Sequence, residues 1–193
     1  MPVVTALRER PRGRVEVDLD GAPWRTLPAD AVVRTGLTVG RSLDRETARA
    51  LGRELRRSEA LDMTLRALRY ADYSRSRLEA RLAERGIRPE TRRDALETLE
   101  QAGLVDDARV AVNRAQSLAG RGYGDAAIRF MLAREGLAEP LAEEALGTLE
   151  PEAGRARRLL ETRGGGVKAL RRLASKGFDA GTLEDLGGFA DGA

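Results

Sequence analysis

The chain has 193 residues, 41% hydrophobic and 34% charged, with 34 basic groups against 31 acidic ones and a formal net charge of +3. It contains neither cysteine nor histidine, which excludes disulfides, the usual zinc sites and histidine-based catalytic triads. No apolar run approaches the roughly 20 residues of a membrane span. The opening MPVVTALRERPRGRVEV lacks the apolar stretch of a secretory signal, so a cytoplasmic location is expected.

Residues 1–44 form an N-terminal extension. Within it Val15, Val17 and Leu19 alternate with Glu16 and Asp18, the period of a half-buried strand. Asp20-Gly21 supplies a turn, and Trp24, Leu27, Val32, Val33, Leu37 and Val39 follow between Pro and Gly residues. This predicts a small β-rich cap over residues 14–44, with Trp24 packed into it. Asp44 is read as the N-cap of a connecting helix over residues 45–57. Ser58 then opens a second helix with Leu61, Leu65 and Leu68 on one stripe.

From there the chain repeats itself. RLAERGI at 81–87 returns as MLAREGL at 131–137 and as RLASKGF at 172–178, and DALETLE at 94–100 is echoed by EALGTLE at 144–150. A recurring phrase at fixed offset marks one helical unit used several times. The boundaries expected are 58–105, 106–150 and 151–193, each a three-helix repeat, giving a mainly α fold with the units set in an elongated curved array. Gly86, Gly136 and Gly177 sit where a helix ends in a left-handed residue, which glycine adopts best. Asp106 and Asp107 are read as helix N-terminal caps, and Gly122-Tyr123-Gly124 as the break before the next helix. The run Gly164-Gly165-Gly166 is a hinge between helices. It does not match the phosphate-loop spacing, because Ala169 follows Lys168 where a hydroxyl residue is required.

Charge is segregated along the chain. Residues 151–178 carry +6 and residues 179–193 carry −4. A basic pole of this kind suits phosphates or an acidic protein face. The candidate partner- and DNA-binding residues are Arg155, Arg157, Arg158, Lys168, Arg171, Arg172 and Lys176. Arg77, Arg81 and Arg85, spaced i, i+4, i+8 along one helix face, join them. The helix–turn–helix grammar with arginines on one helix also allows a duplex-DNA-binding transcriptional regulator, the alternative to a protein-binding module. An enzyme is the last choice, and no catalytic residue, cofactor or metal is assigned.

The stretch GLVDDARVAVNRAQSLAGRGYGDAAIRFMLAREGL at 103–137 resembles the central repeat of the bacterial regulatory protein RecX family. The matching residues are Gly103, Asp106-Asp107, Arg121 to Gly124, Ile128-Arg129, Leu132 and Gly136-Leu137. Residues 69–87 resemble that family's first repeat and 168–178 its last, so the likeness covers about 58–190. One departure is Val110, where the family usually has an aromatic residue. The resemblance implies three tandem three-helix repeats in a non-enzymatic, monomeric regulator of recombination and DNA repair. It implies binding to the RecA filament, depressed strand exchange and ATP hydrolysis by RecA, and weak binding to single- or double-stranded DNA.

Overall fold

The computed structural model describes residues 1–190, which fall into two compact units. The first comprises Met1–Ala71 with Leu78–Leu104, the second Asp72–Arg77 with the chain from Val105 onward.

The first unit opens with an antiparallel sheet of β1 (Val4–Arg10), β2 (Arg14–Leu19) and β3 (Ala22–Pro28), in that order. The alternation over Val15 and Val17 puts both inward with Val4 and Leu27, against α1 (Ala29–Arg34) and Leu51 of the next helix. Asp20 and Gly21 take φ of 49° and 83°, the pair of left-handed residues a two-residue hairpin turn requires. On the outer side, the Arg8 guanidinium donates to both carboxylate oxygens of the buried Asp18, at 3.1 and 2.8 Å. That contact raises the Arg8 pKa above its ordinary value.

The cap departs from expectation in three places. Its first strand begins at Val4, ahead of residue 14. Residues 29–34 are helical: Ala31 and Val32 are buried side by side while Val33 points to solvent, a pattern that the alternation of a strand does not give. Trp24 lies outside the core, 37% exposed on edge strand β3, with the Arg25 guanidinium 5.7 Å from its ring centroid.

The expected break at Ser58 is also absent. One helix, α2 (Arg45–Leu68), runs 24 residues through it. No proline or left-handed glycine interrupts Arg57-Ser58-Glu59, and Ser58 lies mid-helix, where its hydroxyl caps nothing. The start is as expected, with the Asp44 carboxylate accepting from the Thr47 amide at 2.7 Å. This bond holds the Asp44 pKa below its ordinary value. The C-terminal half of α2 packs on α4 (Pro89–Gln101), and α3 (Arg75–Glu84) adds Leu78 and Leu82 to the buried set with Ala60, Ala95, Leu96 and Leu99.

The second unit holds two further three-helix repeats. In the first of them, α5 (Asp107–Gly120), α6 (Asp125–Arg134) and α7 (Glu139–Gly147) enclose Val110, Ala111, Ala115, Leu118, Ile128 and Leu132. The other has α8 (Glu152–Arg163), α9 (Val167–Ser175) and α10 (Ala180–Ala190) around Ala156, Leu173, Phe178, Leu183 and Leu186. Val110, placed where the resembled family has an aromatic, is 3% exposed in the central core.

The recurring phrase has a geometric cause. Gly86, Gly136 and Gly177 have φ of 73°, 76° and 81°. The apolar residue after each donates its amide back to a leucine carbonyl five residues earlier: Ile87 to Leu82, Leu137 to Leu132 and Phe178 to Leu173, at 3.1–3.2 Å. Each phrase therefore encodes a helix C-terminus closed by a glycine and pinned by an apolar side chain.

Candidate partner-binding surface

Two joints fix how the helices of the second unit are presented. At the first, Ser74, fully buried, donates its hydroxyl to the Glu135 carbonyl at 2.5 Å and accepts from the Arg77 amide. Asp107 accepts from the Arg75 amide at 2.7 Å. At the second, Gly124 takes the place of Ser74. Its amide donates to the Lys176 carbonyl at 2.9 Å, while Glu152 accepts from the Asp125 amide at 2.5 Å. Both times an acid at the start of one repeat's first helix satisfies the opening amide of the preceding repeat's second helix. Gly124 is required by proximity: a Cβ there would run into the Gly177 carbonyl and the Phe178 amide. Asp106 caps its own helix through the Arg109 amide at 2.9 Å. Gly122 has φ of 78°, and Tyr123 packs on the central core.

The arginines and lysines of the last repeat separate into two roles. Arg157, Lys168, Arg171 and Arg172 are exposed on α8 and α9. Arg158 is exposed too and paired with Glu150. Lys176 is half-buried, donating to the Arg121 carbonyl at 2.9 Å with its ammonium 4.7 Å from the Tyr123 ring centroid. Arg155 does not belong to the surface. It is 8% exposed and donates to the Glu150 and Tyr123 carbonyls and to the Asp125 carboxylate. Its position one turn into α8, facing inward beside Ala156, turns the guanidinium into a clamp on the second joint.

Arg77 and Arg81 on α3 are exposed, as is Arg85, which lies in the turn just past the end of that helix and so does not extend its face. Arg81 and Arg85, with Arg66 of α2 and Tyr70 just beyond the end of that helix, line a groove of about 640 Å³ whose apolar wall includes Leu78 and Leu82. Sequence reasoning missed Tyr70, which is 89% exposed. It also missed Phe130, 63% exposed on α6 with the Arg134 guanidinium 5.9 Å away. The signal for Phe130 was available. Ile128 and Leu132 point inward one turn apart, so the residue midway between them faces out. Arg129 pairs with Glu143 through two bonds of 2.5 and 3.1 Å, which lowers the Glu143 pKa.

Comparison with known proteins decides the family. The family model for the second three-helix domain of RecX matches residues 106–146. The regulatory protein RecX of Xanthomonas oryzae pv. oryzae is 31% identical over 150 residues, covering 72% of this chain and 94% of that protein. The chain belongs to the regulatory protein RecX family. The RecX protein of Chromohalobacter salexigens is 38% identical over 127 residues, covering 61% of this chain and 84% of that one. In fold, a crystal structure of regulatory protein RecX superposes with a TM-score of 0.82, at 21% identity over 95% of this chain and 98% of that one. RecX from Lactobacillus salivarius gives 0.59, at 19% identity over 67% and 93%. The RecX fold here is thus mainly helical, with a three-stranded cap and tandem three-helix repeats. It is a regulatory family by name, and among the described residues no helix is long and apolar enough to cross a membrane.

Proposed function

We propose that this chain is a non-enzymatic, cytoplasmic regulator that binds the RecA filament and depresses RecA strand exchange and ATP hydrolysis, with weak DNA affinity through exposed basic residues. The observation that carries the reading is membership of the RecX family across most of the relatives' length. The exposed cations Arg157, Lys168, Arg171 and Arg172 support it, because they offer a charged surface to an acidic face or to phosphates. Repetition supports it as well. A protein carrying several similar units can touch a polymer at more than one protomer, and each later contact forms at high effective concentration.

Binding is tested by co-sedimentation with RecA filaments assembled on single-stranded DNA. Saturable pelleting is expected. Reversal of Lys168, Arg171 and Arg172 to Glu should weaken it while the far-ultraviolet circular dichroism stays unchanged. Equal pelleting with and without RecA would refute the reading.

A further inference from the structure

The N-terminal cap carries a second cationic surface, which shares only Arg66 with the groove beside α3. The hairpin joining β1 and β2 turns through Pro11, Arg12 and Gly13, with Arg10 and Arg14 directly opposed across it. Arg12 and Gly13 both take left-handed φ, 63° and 65°. The turn is held in place, because the Gly13 carbonyl accepts from the Ala29 amide at 2.8 Å and the Arg14 guanidinium donates to the Thr26 carbonyl at 2.8 Å. Two adjoining hollows of about 830 and 500 Å³ run from this tip along β3 and the side of α2, sharing Arg14, Thr26, Asp62 and Arg66. Arg10 and Arg12 stand at one end and Arg25 at the other.

Five guanidiniums thus face a track whose acidic lining residues are Glu59 and Asp62. Arg10 is partly neutralised by Glu16 at 2.5 Å. Arg14 spends one donor on the sheet and Arg66 one on the Asp62 carbonyl, and each keeps further N–H groups for an external acceptor. Beside Arg25 lies Trp24, the chain's single tryptophan, on the outside of the edge strand. Pro23 and Pro28 at the two ends of β3 deny its edge some of the donors an added strand would need.

We propose that this arginine-lined track on the cap binds the backbone of single-stranded nucleic acid, with an unpaired base stacking near Trp24. The chemistry selects this occupant. Spaced guanidiniums suit a polymer carrying one charge per unit, and an exposed indole beside them suits a base face that a duplex would conceal. The site uses no residue of the three repeats beyond Arg66 and the wall of α2, and it is tested without RecA.

The experiment follows the emission of Trp24 in the full chain, excited at wavelengths where DNA does not absorb, as a 20-nucleotide oligo(dT) is added. Saturable quenching is expected. Its affinity should fall with salt, with a log–log slope of about −0.7 per phosphate contacted. Reversing Arg12, Arg14 and Arg66 to Glu should weaken binding at least about tenfold and flatten the slope by about 2. Arg12→Glu alone, at an exposed turn position, should weaken it about threefold and provides the readout if the triple variant folds poorly. The proposal is overturned if oligo(dT) leaves the emission unchanged, or if the cap reversals have no effect. It is equally overturned if poly-glutamate competes as well as oligo(dT) at equal charge, or if a duplex binds as tightly.

Discussion

At the scale of single residues, the glycines divide by what surrounds them. A Cβ on Gly86 would meet nothing within 4 Å, whereas one on Gly177 would lie 2.6 Å from Ala127, and both have φ in the left-handed region. Gly86→Ala should therefore cost about 1 kcal/mol from backbone strain alone. Gly177→Ala adds overpacking and should cost about 3 kcal/mol. Urea denaturation of the two variants measures the difference, and equal losses would mean that the joint can yield. Arg155 makes a related point. Arg155→Met should lower stability by about 2–3 kcal/mol, since it leaves the Tyr123 carbonyl and the Asp125 carboxylate without their donor. A solvated arginine would cost close to nothing. Sequence reasoning placed Arg155 with Arg157 and Arg158 because charge runs carry no direction. Only the helix phase, fixed by Ala156 and the joint it faces, separates the clamp from the surface.

Two carboxylates contribute to the response to acid. The pKa values of Asp44 and Glu143 are lowered, the first by accepting the Thr47 amide and the second by hydrogen bonding to Arg129. A group whose pKa is depressed in the folded state contributes stability that is full above the ordinary carboxyl range near 4 and is lost as pH falls through its folded value. Thermal midpoints of Asp44→Ala and Glu143→Gln should thus lie below that of the parent chain at pH 7. The curves should converge with the parent's as pH falls below about 4. A gap that persists at pH 2 would show that something other than ionisation is responsible.

At the scale of elements, α2 is continuous where two helices were expected, and it carries Gly52 in its interior. That glycine is helical and a Cβ would make only ordinary contact with Arg56, at 3.5 Å. Gly52→Ala should stabilise the chain by up to about 1 kcal/mol, measured by denaturant midpoint; a loss would contradict an uninterrupted helix there. The expected break rested on Ser58 as a cap, but a cap needs a preceding terminator, and none stands between Gly52 and the end of α2. The repeats were legible for the opposite reason. Each carries its terminator in plain view, a glycine followed by an apolar residue, and the structure closes a helix at every one. The cap was half legible. Val15 and Val17 gave β2 and Asp20-Gly21 its turn, whereas β1 hides in a stretch where only Val4 is fully buried. The joints were not legible as joints. That Asp107 and Glu152 serve the second helix of the preceding repeat depends on contacts across tens of residues, which no local pattern records.

As a whole molecule, the chain belongs to the RecX family and has its fold, with repeat helices closed at Gly86, Gly136 and Gly177 and cations left exposed on α8 and α9. A molecule of this kind is suited to holding a partner by its surface. Exposed cations make such binding sensitive to salt, since screening shortens to about 8 Å at physiological ionic strength. Titration of the purified chain into RecA hydrolysing ATP on single-stranded DNA puts the proposed regulation to the test. Turnover should fall in a saturable manner at less than one molecule per RecA protomer, and the Lys168, Arg171 and Arg172 reversal should demand more protein for the same effect. Turnover unchanged at several molecules per protomer would contradict the proposed regulation.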